Sequence, residues 1–528
     1  MINIVTVKKQ QPGWVFGGGV SNTSALPGRY TKQYGGVGTP QWQDLADAQK
    51  AYVFGAYGAE PYSFRMNLFG SRGGNHYLYQ DYYGYARRKE GNELWDGGAS
   101  ASLLRTFSDL STLIVTGDAY YGAANIPASG YTAEHGDQKT FSTRQNIMLD
   151  MPRAVHDDFS MEFSLGHTWE TLEYDPGLDP SRHRENGLTL INRWSWYPAA
   201  ELTLRFGGDY RFIRLDSTND GVHNGHRGGL YLSADYAPGR KVLLIASMKG
   251  VYDGGGIIPV PKLGIAWNIG EALTIKNNYF RSFKFPDFDD LYWVQPGFMG
   301  NPDLKPEDGW GADLSAEWTR GDLLTLSSSF YGEWTTDSIH WNNASGFWRP
   351  ENISRAAFLG WDNRLNISLP IAPFFLEKPV VSLSWQFQMS WLLSGAARPA
   401  GNLRIPYMPM HILGFSLELP WKTGGAHQGS LILSGRFESS RFADPGNRIK
   451  LDPYFLLHIT VNQEISKNIA IFGSLRNVLN TRYVSVAEYP MPGFTGTVGV
   501  RMNIAVPRVG GSGGARVKGA AYESANPQ

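Results

Sequence analysis

His223 and His226, in the run His223-Asn224-Gly225-His226, are the one close histidine pair in this 528-residue chain. Two imidazoles can begin a transition-metal site, but a stable site needs a third or fourth ligand, so two solvated side chains in a flexible loop are the simpler expectation. Asp287, Asp289 and Asp290 carry the hard oxygen ligands that calcium takes. The same carboxylates can order a loop by accepting backbone N–H groups, which is the role expected of Asp290. The chain has no cysteine, which removes disulfides, thiolate metal sites and cysteine nucleophiles together. No Gly-x-Ser-x-Gly falls in a strand-to-helix context, and neither a Walker nor a dinucleotide-binding fingerprint occurs. These residues point to binding rather than catalysis: no enzyme, no resident metal and no cofactor is expected.

The elements that would carry these side chains read as strands. Met161, Phe163, Leu165 and Trp169 fall on one face of a period-2 segment, while Ser160, Glu162, Ser164 and Thr168 fall on the other. Leu202, Leu204, Phe206, Tyr210 and Phe212 oppose Glu201, Thr203, Arg205, Asp209 and Arg211 in the same way, and Leu324, Leu326, Phe330 and Trp334 oppose Thr325, Ser327, Ser329 and Glu333. Such runs alternate for about 9 to 12 residues, the length a tilted membrane strand needs, whereas soluble sandwich strands average about 5 to 6. No apolar run approaches the roughly 18 residues of a membrane helix, so a membrane fold must be a closed barrel. Charged residues are 18% of the chain and aromatics 13%, a balance that suits a wall facing lipid with rings at both interfaces. Lys plus Arg and Asp plus Glu are 48 each, which leaves no basic field to attract nucleic acid.

Connections alternate between two kinds. Short turns such as Tyr197 to Ala200, Ala237 to Arg240 and Thr319 to Asp322 carry Pro or Gly at the bend. Long loops take the other positions: Asp81 to Asp96, Gly122 to Thr140, Glu173 to Glu185, Asp216 to Arg227, Ser282 to Gly309 and Ser439 to Pro453. At roughly 24 residues per strand and connection the chain holds about 22 strands. The predicted fold is all-β: a transmembrane antiparallel β-barrel over residues 1–506, with short periplasmic turns, long extracellular loops and Arg205, Asp209, Arg211 and Glu333 facing the lumen. Residues 507–528, Gly-rich and weakly basic, are expected to be a disordered tail.

The most distinctive string, Gly300-Asn301-Pro302-Asp303-Leu304-Lys305-Pro306-Glu307, lies in the longest loop, where Pro302 and Pro306 fix φ and remove donors. Together with Phe283 to Trp293 it resembles the long barrel loop of TonB-dependent outer-membrane receptors. Ile405 to His411 resembles a motif of that family's cobalamin-receptor-like branch, and Arg476 to Tyr483 followed by Tyr489 to Gly493 resembles its C-terminal motif. Asp290, Asn301, Pro302, Pro306, Glu307 and Asn477 thereby fall on family-motif positions. Ile2 to Thr6 resembles the junction between the family's plug and barrel, so residues 1–10 are expected to be that junction, with the plug lost by truncated translation or gene splitting. The first nine residues lack the pattern of a secretory signal. Thr497 to Ile504 is similar to the family's closing strand, with Met502 and Ile504 where aromatics are usual.

The resemblance implies a bacterial outer-membrane, multi-pass, monomeric receptor that takes up a large scarce ligand, cobalamin or a ferric siderophore, surrounded by outer-membrane lipid and coupled to the TonB complex through a plug. Tyr82, Tyr83, Tyr85, Trp293, Phe298, Trp341 and Trp348, all in the expected outer loops, would then pack on a large planar ligand. Interfacial girdle positions would explain the same rings. A plugless passive pore and a soluble β-rich binding or structural protein remain the alternative readings of the residues.

Overall fold

The computed structural model describes residues 12–26, 45–74, 77–81, 83–89, 91–127, 135–177, 179–252, 255–342, 346–370, 378–393, 403–423 and 427–506. Twenty-two of its strands form one antiparallel sheet. In chain order they are β1 (Gly13–Ala25), β2 (Ala48–Ala59), β3 (Tyr62–Gly73), β4 (Leu94–Thr106), β5 (Thr112–Pro127), β6 (His135–Met151), β7 (Phe159–Asp175) and β8 (Ser181–Ala199). Then come β9 (Leu202–Ser217), β10 (Gly221–Tyr236), β11 (Val242–Tyr252), β12 (Ile257–Ile269), β13 (Leu273–Lys284), β14 (Glu307–Arg320), β15 (Leu324–Asn342) and β16 (Arg349–Ser368). The last six are β17 (Val380–Leu393), β18 (His411–Thr423), β19 (His427–Glu438), β20 (Tyr454–Glu464), β21 (Ile469–Arg476) and β22 (Thr495–Val506). Each strand pairs with the next, and β1 pairs with β22 from Trp14 opposite Val506 to Ala25 opposite Thr495, so the sheet closes on itself and has no free edge. The expected count of about 22 strands is met.

The two faces of the wall follow the period-2 pattern. Phe206 pairs with Leu232 and Trp194, and all three sit on the outer side, where Leu232 is 58% exposed. Exposed rings cluster toward the two ends of this apolar band: Trp14, Tyr62, Trp196, Tyr236, Trp267 and Trp318 toward the short-turn end, and Trp95, Tyr121, Trp169, Tyr210, Tyr279 and Trp334 toward the other. That is the layout of amphipathic rings at two membrane interfaces. On the opposite face Arg205 pairs with Asp235, Arg193 with Glu162, Lys249 with Asp209 at 2.7 Å and Arg211 with Glu185 at 3.1 Å. Arg205, Asp209 and Arg211 therefore line the lumen, as expected, and so does Glu333, which accepts the Ser282 hydroxyl; inside the wall charges are matched between adjacent strands or, for Lys249 and Asp209, across the intervening β10.

The long loops are shorter than the sequence pattern implied, because the strands continue through much of them. β9 and β10 run to Ser217 and from Gly221, so Asp216 to Arg227 is not a loop but a strand pair joined by a tight turn. At 16 to 20 residues β8, β9, β10, β15 and β16 exceed the roughly 9 to 11 that cross a bilayer, and their far ends stand clear of it as a palisade. There the phase of the pattern inverts. On β9 the inward Ile213 and Leu215 are buried, while the outward Arg214 and Asp216 are exposed. Outside the membrane the outer face meets water and the inner face must be covered by something apolar. The predicted junction at residues 1–10 and tail at 507–528 lie outside the described residues.

Candidate functional site

The cover over Ile213 and Leu215 is the connection between β13 and β14. It carries one short helix, α1 (Phe288–Tyr292), started by the N-cap Asp287. Asp290 accepts the Asp287 N–H on one carboxylate oxygen at 3.3 Å and the Trp341 indole N–H on the other at 3.0 Å, which is the loop-ordering role expected of it. Gly300 then passes so close to the helix that a Cβ there would lie 2.7 Å from the backbone of Leu291 and Tyr292, and its N–H bonds Trp293 O at 2.6 Å. Only glycine fits that approach.

The motif octapeptide bolts this connection to the β15–β16 hairpin. Asn301 Nδ2 donates to Pro350 O at 3.0 Å, and its Oδ1 accepts from Arg349 at 3.0 Å. The backbone of Lys305 exchanges two hydrogen bonds with the Asn352 amide, and Glu307 accepts the Ile339 N–H at 2.8 Å. Pro302 and Pro306 flank this stretch, and their missing donors cost nothing where side chains make the bonds. Phe298 stacks on Trp348 at 6.4 Å and meets Trp341 at 6.3 Å, so three of the seven candidate rings form one group on the side of this hairpin.

The other side of the connection lies on the inner wall of β9 and β10. Arg227 donates to Pro286 O at 2.8 Å and stands over the Phe285 ring, and the Phe288 ring fills the space left by Gly225. His223 stacks on Tyr292 with centroids 3.7 Å apart, and His183 stacks on Trp293 at 5.5 Å. His226, three residues on, faces outward and bonds the Tyr210 hydroxyl at 2.7 Å. The histidine pair is thus not in a flexible loop, and period-2 geometry puts its members on opposite faces where they share no ligand. Sequence reading missed His183, Phe285, Phe288, Tyr292 and Arg227. His183 and Arg227 carried no local signal, since their partners come from a connection far along the chain.

At the tip of this wall Ser217 Oγ donates to Asp220 at 2.7 Å and lies 2.8 Å from His183 Nδ1, with Asp220 3.5 Å from the same nitrogen. The residue types are those of a hydrolase triad, but the wiring is not: serine and aspartate both address Nδ1, and the hydroxyl proton is spent on the carboxylate. Burial raises the Asp289 carboxyl, and the charge of Asp220 raises it further. Among the described residues no three His, Cys, Asp or Glu are placed to hold a metal ion.

Tyr83 and Tyr85 belong to a second group. They sit on a small hairpin, Leu78–Gln80 with Ala86–Arg88, wrapped around the buried Asp81, which accepts the Tyr83 and Tyr85 N–H groups at 2.9 Å each and Arg87 at 3.0 Å. Burial pushes its carboxyl up, but these hydrogen bonds outweigh it and hold the group below its ordinary value. Tyr83 is 71% exposed, and Tyr82 lies outside the described residues. Asn477, left-handed at φ 48°, bonds Thr481 twice and Pro492 O, and the segment it organises holds the hairpin through Gly493 N–H to Leu78 O at 2.9 Å. The motif residues are therefore fasteners, and the rings are what they present.

A family model described as TonB dependent receptor-like, beta-barrel, matches residues 19–478. The chain belongs to that family. It is 25% identical to a vitamin B12 transporter BtuB of Photobacterium profundum over 238 residues, 43% of this chain and 35% of that protein. With the BtuB of Vibrio vulnificus it shares 24% over 318 residues, 58% of this chain and 48% of that protein. The alignments thus span a third to a half of the length of these relatives. Among solved structures, the FrpB iron transporter of Neisseria meningitidis superposes with a TM-score of 0.73 at 10% identity, covering 94% of this chain and 82% of that one. The copper transporter OprC gives 0.71 at 13% identity, covering 94% and 81%. These likenesses show the same fold, and the family is one of receptors rather than enzymes.

Proposed function

We propose that the chain is the wall and outer binding surface of a bacterial outer-membrane receptor that takes up a large scarce ligand, cobalamin or a ferric siderophore, in a TonB-dependent manner. The observation that carries this reading is the inward-facing connection between β13 and β14, which the family motif fastens between two hairpins so that Trp293 and the Phe298, Trp341 and Trp348 group are presented together at the long-loop end. That end is extracellular, and the apolar band meets outer-membrane lipid. The BtuB relatives are vitamin B12 transporters and the structural neighbour FrpB is an iron transporter, so both ligands belong in the test. TonB acts through a plug in the lumen, whose ionic lining it would meet, and the barrel works as a monomer.

Equilibrium binding of cyanocobalamin and of ferric siderophores to the detergent-purified protein tests the proposal. One of them should bind, and Trp348→Ala should weaken it by roughly tenfold, the loss of about 1.4 kcal/mol of ring packing. Binding of neither, or binding indifferent to Trp348 and Trp293 alike, would sink the reading.

A further inference from the structure

The outward face of β8 and β9 carries cations that the rest of the chain leaves unneutralised. Arg184 and Arg214 are exposed there, and among the described residues neither side chain has a hydrogen-bond or ion-pair partner. Arg193, Arg205 and Arg211, on the inner face of the same two strands, each hold a carboxylate. Register makes the outward two diagonal neighbours, Arg184 opposite Asp216 and Arg214 opposite Asn186, so they lie within about 8 Å of each other. Asp216 is exposed and makes no ion pair with Arg184. Arg214 has an amide on either side, Asn186 on β8 and Asn224 on β10, and Asn186 turns its Oδ1 to His167 at 3.1 Å while its Nδ2 stays unpartnered. Trp169 pairs with Asn186, and Tyr210 precedes Arg214 on the same face, which puts these groups just above the ring belt, where headgroups meet the apolar band.

Below the arginines the same face is hollowed. Gly208 interrupts the outward row of β9 between Phe206 and Tyr210, and over it lies a groove of about 580 Å³ walled by Phe163, Leu190, Trp194, Phe206 and Leu230. From Gly208 to Arg214 is about 20 Å along the strand, or roughly 14 Å of height at a tilt of about 45°, which is within the roughly 15 Å that one leaflet contributes to the hydrocarbon core. We propose that this strip binds one phosphorylated glycolipid of the outer leaflet, its phosphate forked between Arg184 and Arg214 and one acyl chain laid in the groove over Gly208. A single molecule must satisfy both features: a free anion leaves the groove empty, and a neutral lipid leaves two guanidinium groups without acceptors. Asn186 and Asn224 beside Arg214 supply amides of the kind that bond sugar hydroxyls, which a plain glycerophospholipid lacks. The site rests on the outer-membrane placement proposed above and is independent of the ligand carried.

Native mass spectrometry of the full chain in detergent, with lipid A added as the phosphorylated glycolipid, reads the site directly. Lipid A should stay bound at one equivalent. Arg184→Gln combined with Arg214→Gln should lower its retention by about tenfold or more. Asn192→Phe, which puts a ring into the groove and keeps both arginines, should lower it as well. Arg193→Gln on the lumen face should not, and heat-modifiable gel migration confirms a closed barrel in every variant. Dephosphorylated lipid A, inorganic phosphate and phosphatidylglycerol should each compete poorly. Retention unchanged in both the double arginine variant and Asn192→Phe, or any of the three competitors held as firmly as lipid A, would overturn the proposal. Epitope accessibility at the long-loop end reads the membrane orientation separately, so a failed lipid site and a reversed barrel are told apart.

Discussion

Asp81 shows how much one residue can do where the wall gives way to loops. Its carboxylate is the hub on which the Tyr83 and Tyr85 amides and Arg87 converge. The hydrogen bonds hold its pKa down against burial, so the stability it contributes is present above the ordinary carboxylate value and is lost as pH falls through the depressed one. Protection factors at the Tyr83 and Tyr85 amides, in which the intrinsic base catalysis of exchange is divided out, should accordingly fall in acid and hold in mild alkali. Asp81→Asn should weaken the hairpin at neutral pH by about 1 to 3 kcal/mol, the cost of a lost charged acceptor in a buried site. Exchange rates that ignore both changes would show that something else holds this hairpin. Asp290 was legible in the same terms, as a carboxylate beside a turn with backbone donors to satisfy. The histidine pair was not, because a spacing of three means one thing in a loop and another in a strand.

At the scale of elements, the strands divide into a membrane part and an extramembrane part whose patterns are opposite in phase. Phe206 lies in the first part, facing outward on β9, and Thr203 lies inward beside the Arg205–Asp235 pair. Phe206→Arg should impair assembly by about 2 to 4 kcal/mol if it lies near the middle of the bilayer, while Thr203→Arg should be accepted in the lumen. Folding yields into lipid vesicles decide it, and equal tolerance would mean the faces are reversed. The inverted part was hidden from pattern reading. Beyond the bilayer water lies outside and a covering loop lies inside, so Ile213 and Leu215 break a rhythm whose meaning depends on what touches each face.

For the whole molecule, closure of β1 on β22 sets every connection at one end or the other. Gly177 marks the long-loop end between β7 and β8, and Gly239 the short-turn end between β10 and β11. Epitopes inserted after each should be read differently on intact cells, the first detected at once and the second only after the outer membrane is permeabilised. The opposite result would invert the orientation and place the candidate rings on the periplasmic side.

Alternation, strand length and the placing of short turns were enough to establish a large transmembrane barrel of about 22 strands, because a wall with lipid on one side and water on the other imposes a period-2 code on every strand. The motif string marked the connection that matters and several of its fasteners. What only the tertiary structure decided is where that connection lies. Its partners on β8, β9 and β10 are distant in sequence, and they meet it through ring stacking of His183 on Trp293 and His223 on Tyr292, which depends on shape rather than on any periodic pattern.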